Sequence, residues 1–183
     1  PDIVTSQYDY TKISASVKDK IRLSPYGSLS YKVLAGKVFG TLPFMFLENH
    51  PGNDIYYYNS GAYNLMNRFQ YLSDQYAGIN IEHNMGSGLF RFIPITRKLK
   101  WRQFWNVKSL WGSLSSANTS LNNNSNSTKF ETLNGTNYIE FGTGIDNIFK
   151  ILRVDFVWNL SGISPQTNSN AKFGVFGSFQ FQF

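Results

Sequence analysis

Groups that could do chemistry are few in this chain. It has two histidines, His50 and His83, and no cysteine. Neither histidine stands in a Gly-x-Ser-x-Gly, His-Glu-x-x-His or related setting, so no nucleophile elbow or metal-activated water is expected. No cluster of histidines, cysteines and carboxylates has the spacing of a zinc site. Ser109 and His83 share one side of neighbouring alternating segments, the placing a lipid-cleaving Ser–His pair would need. No acid accompanies them to orient the imidazole. The expectation is a protein that is not an enzyme, with no catalytic, cofactor-binding or metal-ligating residues.

Composition points elsewhere. The 183 residues carry a formal net charge of +6, with 17% aromatic and only 15% charged residues. Soluble domains average about a quarter charged. Mean hydropathy is −0.28, and no apolar run approaches the roughly 20 residues of a membrane helix. Strands that alternate between lipid and water produce this balance. The cations alternate with apolar residues instead of clustering with stacking rings, so nucleic acid is not an expected partner. Pro1 is followed by no signal-like segment. The chain is expected to start inside a longer polypeptide or after processing.

Period-2 alternation supplies the elements. In 172–183, Phe173, Val175, Gly177, Phe179, Phe181 and Phe183 oppose Lys172, Gly174, Phe176, Ser178, Gln180 and Gln182. In 150–161, Leu152, Val154, Phe156, Trp158 and Leu160 oppose Arg153, Asp155, Asn159 and Ser161, with Val157 off-pattern. The ionised Arg153 and Asp155 must face a polar interior or each other. Ile139, Phe141, Thr143 and Ile145 oppose Tyr138, Glu140 and Asp146 in 136–146. Segments 101–113 and 76–89 repeat the pattern, as do Ile13–Leu23 and Leu29–Ala35. This predicts an all-β, antiparallel transmembrane β-barrel portion of about seven strands. A soluble β-sandwich would alternate too, but should end on turns and charged edges.

Connections sort by length. Ser24–Tyr26 and Asp146–Lys150 are tight, while 114–135 is long and Ser/Asn-rich and 163–171 is polar. Short turns belong on the periplasmic side and long loops outside. The count closes if 40–75 is one excursion and not a pair of strands. That excursion is too apolar for a bare loop, through Phe44–Leu47 and Tyr56–Tyr58. It either lies over the barrel mouth or folds into the lumen. The 114–135 loop reads as solvated or disordered. Residues 90–100 read as a periplasmic interfacial turn, with Arg91, Arg97, Lys98, Lys100 and Trp101 as anchors.

Two stretches carry a resemblance: GTLPFMFLENHPGND…AYNLMNRFQYLSDQYAGINIEHNMGSGLFRFIPITRKLKWR and FGTGIDNIFKILRVDFVWNL. They resemble the C-terminal barrel of an uncharacterised Bacteroidetes outer-membrane family, whose members often carry an N-terminal carboxypeptidase-regulatory-like domain. More distantly, the chain is similar to the BamA/TamA/FhaC assembly and secretion superfamily. Its barrels have sixteen strands and a long lumenal loop followed by five strands. That resemblance implies Arg68, in Asn67-Arg68-Phe69, as a loop anchor, with Glu140 as its first-choice partner ahead of Glu82 and Asp146. The superfamily's loop tip has a glycine that this sequence lacks.

The expected role is an integral, multi-pass protein of a Gram-negative outer membrane, in membrane biogenesis or macromolecule transport. The alternative is a scaffold barrel with a plugged lumen whose loops bind envelope proteins. Expected partners are outer-membrane lipid, the remaining strands of the same barrel and the assembly machinery. That machinery would read Phe179, Phe181 and Phe183 as a C-terminal signal.

Overall fold

Strict alternation requires a sheet whose two faces meet different surroundings. The computed structural model describes residues 9–88, 90–92, 94–123, 131–161 and 171–180. One seven-stranded antiparallel sheet dominates it, and the fold is all-β. Its strands are β1 (Thr11–Arg22), β2 (Ser28–Phe39), β5 (Gln75–Asn84), β6 (Arg102–Ser113), β7 (Asn137–Ile148), β8 (Leu152–Asn159) and β9 (Phe173–Phe179), in that spatial order. Two short strands, β3 (Glu48–Asn49) and β4 (Leu72–Ser73), pair with each other at the base of the 40–74 excursion. Helices α1 (Pro94–Leu99) and α2 (Ser116–Asn123) lie in connections.

Outside the register shift at the end of β7, the pairing sorts side chains into two faces. Val17, Val33, Ile79, Ser109 and Ile139 form one cross-strand row. Tyr31, Ile81, Val107, Phe141, Trp158 and Phe173 form another. In it Trp158 lies 6.0 Å from Phe141 and 5.1 Å from Phe173, centroid to centroid. Such ring pairs add about 0.5–1.5 kcal/mol each beyond area burial. This apolar face is bare, and Val17, Val33, Ile79, Phe156, Phe173, Val175 and Phe179 on it are exposed.

The opposite face is polar, and it is covered most fully over β6 and β7, while β1 is exposed along its whole length. Alternate residues of β6 and β7 are buried there, including Phe104, Asn106, Lys108, Leu110, Tyr138, Glu140 and Asp146. The cover is the excursion. Its Tyr63, Met66 and Tyr71 pack with Leu110, Leu133 and Tyr138. Tyr58 and Leu65 pack with Val157 and Phe176. That second cluster explains why Val157 breaks the polar pattern of its side of β8: it touches protein, not water.

The connections between β1 and β2, β5 and β6, and β7 and β8 emerge at one end of the sheet. The β7–β8 turn follows a register shift between Ile145 and Ile148, and Asn147, Phe149 and Lys150 adopt positive φ there. The excursion, the α2 connection and the β8–β9 link emerge at the other end.

Part of the 114–135 segment differs from the solvated loop its composition suggests. Asn118 and Asn122, one helical turn apart on α2, are both buried. Asn118 Oδ1 accepts the Leu42 amide at 2.7 Å, and its Nδ2 donates to Gly40 O at 3.1 Å and Asp74 Oδ2 at 2.9 Å. Asn122 Nδ2 donates to Leu42 O at 3.0 Å. These asparagines serve as hydrogen-bonding hooks, a role that Ser/Asn-rich composition conceals. Residues 124–130 and 162–170 lie outside the described set, as do Phe181 and Phe183.

The bulge region leaves no room on β7. A Cβ on Gly144 would sit 2.0 Å from the Val154 carbonyl oxygen, whereas on Gly61 its nearest neighbour is a side-chain oxygen at 3.4 Å. Gly144→Ala is expected to lower unfolding free energy by about 1–3 kcal/mol. Gly61→Ala is expected to leave it nearly unchanged, as read by denaturant titration of the folded protein.

Candidate functional site

On the covered face, β6 and β7 set Lys108 directly opposite Glu140. The two charges grip one turn of the excursion from opposite chemical sides. Glu140 accepts the Asn64 amide at 2.9 Å on Oε2 and the Leu65 amide at 2.7 Å on Oε1. The Tyr138 hydroxyl donates to the same Oε1 at 2.9 Å. Lys108 Nζ donates to the carbonyls of Ala62 at 2.5 Å and Asn59 at 3.0 Å, and lies 4.8 Å from the Tyr58 ring centre. Anion on amides and cation on carbonyls satisfies both buried charges through hydrogen bonds. Within the turn, the Asn64 side chain accepts from Asn53 Nδ2 and the Asn59 amide, both at 2.9 Å.

Beside this clamp lies a second charged group. Arg153 is 3% exposed and Asp155 fully buried. The Arg153 guanidinium donates to Asp155 at 2.8 and 2.9 Å, and forks onto Glu82 of β5 at 2.8 and 3.2 Å. It stacks 3.7 Å from the Phe104 ring centre and 4.8 Å from that of Tyr58. Planar forked donation and stacking on a ring are what a guanidinium does and an ammonium does not. At the end with short turns, Arg102 Nε meets Asp146 Oδ1 at 2.7 Å, and Asn84 Nδ2 donates to Asp146 Oδ2 at 2.8 Å.

Between these groups, the excursion and β1–β2 runs a cleft of about 730 Å³. It is lined by Lys18, Lys32, Asn80, Glu82, Asn106, Lys108 and Arg153, with Tyr57, Tyr58 and Arg68 from the excursion.

Arg68 does not meet Glu140. It stays on the excursion, where Nε lies 3.8 Å from Asp54 Oδ2 and the side chain is 59% exposed. Its own amide donates to Asp54 Oδ1 at 3.0 Å. The adjacent Phe69 adopts φ 59° and is exposed. The reason is competition. Glu140 is already saturated by two amides and a hydroxyl, and Lys108 occupies the neighbouring position. Lys108 was legible as a member of the polar set, but its partners are backbone groups, which carry no sequence signal.

The other expected residues are placed as follows. Phe179 is on the bare face at 56% exposure. Lys98 and Lys100 are exposed and Trp101 is half-buried, its ring 6.0 Å from Phe90 in an edge contact. The side chains of Arg91 and Arg97 lie outside the described set. His83 is brought to Tyr26 and Trp105, not to Ser109, which sits opposite Ile79. The Trp105 indole N–H donates to His83 Nδ1 at 3.1 Å. Nε2 therefore carries the proton and donates to Tyr26 O at 2.9 Å.

One Ser–His pair does form: His50 Nε2 and Ser73 Oγ lie 2.9 Å apart. At 3% and 0% exposure, neither offers a reagent to solvent. The His50 ring packs edge-on to Tyr76 at 5.4 Å, so the pair fixes the excursion's base. Burial pushes the His50 pKa down to about 4, against a smaller upward pull from Glu48.

Two outcomes follow from this geometry. Glu140→Ala strands Lys108 and frees two amides. It is expected to destabilise the excursion by about 3–5 kcal/mol, whereas Arg68→Ala changes it by less than about 0.5 kcal/mol. Hydrogen exchange at Asn64 and Leu65 measures both. His50 titrates near 6.5 when unfolded and near 4 when folded, so the unfolded chain binds more protons between those values. Stability of the excursion is therefore full above about pH 6.5 and falls as the pH drops toward 4. His50→Gln is expected to flatten that dependence in exchange measured across pH 4–7.

Neither a curated protein nor a solved structure matches the chain. A family profile does, over residues 1–118, which takes in β1 to β6 and the whole excursion. Its description is a family of unknown function (DUF5686), C-terminal domain, and the chain belongs to that family.

Proposed function

We propose that the chain forms part of the wall of a bacterial outer-membrane β-barrel that serves membrane biogenesis or macromolecule transport. The carrying observation is the bare, mainly apolar face that spans all seven strands, with Asp19 and Lys37 its charged members near the β1–β2 edge, while the opposite face is charged and is covered most fully over β6 and β7. A soluble sheet buries such a face under a second layer, and an uncovered one is a lipid or partner surface. Strands of about 9–11 tilted residues cross a bilayer, and four of these seven have 12 residues. The β5–β6 connection suits the interface: Phe92 and Leu99 are exposed beside Lys98 and Lys100.

On this reading the covered face is the lumen and the excursion constricts it. Among the described residues β1 and β9 do not pair with each other, so further strands of the same barrel are proposed as partners, along with lipid and the assembly machinery. The Bacteroidetes family and, more distantly, the assembly superfamily remain the proposed relations. An excursion over the polar face followed by five sheet strands supports the latter, and the placing of Arg68 weighs against carrying over its anchor.

One observation favours a scaffold barrel: the clamp on residues 59–65 ties the excursion to the wall by backbone groups on both sides, as a fixed plug would be tied. Depleting the full-length protein separates the two. Other envelope proteins or cargo should fail to reach the outer membrane if it transports them, and should arrive normally if it is a scaffold.

Facing is tested directly. Ile79→Asp and Val107→Asp put a charge toward lipid, where Asp costs less than the ~2–4 kcal/mol of a midplane Arg or Lys. Both are expected to cut the heat-modifiable, membrane-inserted fraction severalfold. Asn80→Asp on the other face should be mild, and the reverse pattern would sink the membrane reading.

A further inference from the structure

We propose that the cleft between the excursion and β1–β2 binds a small hydroxylated organic anion, its phosphate or carboxylate held between Lys18 and Lys32. These lysines are direct cross-strand partners on the polar face, Lys18 exposed and Lys32 half-buried, and both line the cleft. Like charges placed directly opposite each other are destabilising. An oxyanion between them turns that repulsion into attraction, since two flexible ammonium groups can close on one ligand.

Among the described residues neither lysine has a carboxylate at ion-pair distance, while the other cations lining the cleft do have partners. Glu82 is the one carboxylate among the described lining residues, and Arg153 already holds it through both oxygens. Lys20 and Arg22 extend the same face of β1, opposite Ser30 and Ser28. Asp19 falls on the bare face, opposite Tyr31. The positive strip is therefore uninterrupted.

A second, independent observation points to a ligand with hydroxyl groups. Asn80 Oδ1 and Asn106 Nδ2 are buried without a hydrogen-bond partner, and both residues line the cleft. Asn106 is 2% exposed. An acceptor and a donor left open on neighbouring strands cost free energy, and a hydroxylated molecule can serve both. Tyr57 and Ile55, exposed on the excursion side of the same cleft, supply a flat apolar wall. The volume of about 730 Å³ lies in the range of small-molecule sites, roughly 300–1,000 Å³.

The site rests on the barrel reading only for its location in a lumen, so binding is measured apart from insertion. The full-length protein in detergent is titrated calorimetrically at low salt with glucose 6-phosphate, glucuronate and glucose. At least one anion is expected to bind, the tighter one identifying the oxyanion, while glucose does not. K18Q/K32Q should weaken that binding at least tenfold, Lys32→Arg should retain it, and Lys172→Gln should leave it unchanged. Absence of anion binding, equal binding of glucose, or wild-type affinity in a K18Q/K32Q protein that still shows heat-modified migration overturns the site. That last result leaves the barrel reading intact. Anion binding that persists when the protein fails to insert supports the site and sinks the membrane reading alone.

Discussion

Lys108 and Glu140 are adjacent on the sheet, and the architecture depends on how that pair is used. In water such a cross-strand pair would contribute less than about 1 kcal/mol. Here both are buried, and each spends its hydrogen-bonding capacity on the main chain of one turn. The turn in turn shields them. Neither half is stable alone: a polar face left with two desolvated charges would take in water, and a free turn would lose its order. The excursion is thus a structural layer of the sheet and not an appendage to it.

Layering of this kind explains the asymmetry of the faces. On the proposed membrane reading the sheet needs only one protein layer, because its other face would meet lipid. Aromatic rows such as Phe141, Trp158 and Phe173 gain contacts with each other while remaining bare. On the covered side, among the described residues, the buried charges of the sheet have partners: Arg153 with Asp155 and Glu82, Asp146 with Arg102, Lys108 and Glu140 with backbone. The basic strip on β1 and β2 differs in being largely exposed, and it stands where the excursion leaves the cleft open.

The excursion also reaches the sheet's edge. Gly177 of β9 donates to Tyr56 O at 3.0 Å and accepts from the Tyr58 amide at 2.9 Å. An unpaired edge is a template for association. The same Tyr56–Tyr58 run that looked too apolar for a loop occupies part of that edge, with Tyr58 turned under the sheet and Tyr56 exposed.

Period-2 patterning alone was enough to specify seven strands, which residues share a face, and the long crossing from β2 to β5, because facing is a local property of an extended chain. It also required Arg153 and Asp155 to face a polar interior or each other, and the fold has them do both. What it could not specify was pairing across distance. Arg68 was the expected anchor through the resemblance to the assembly superfamily; the fold gave that role to Lys108, whose register against Glu140 is fixed only once β6 and β7 align. Asn118 and Asn122 read as solvated because an amide hook and a loop asparagine have the same composition. His50 and Ser73 are 23 residues apart, brought together by the β3–β4 bridge. In each case the deciding partner was a backbone group or a residue remote in sequence, and only the folded chain sets those distances.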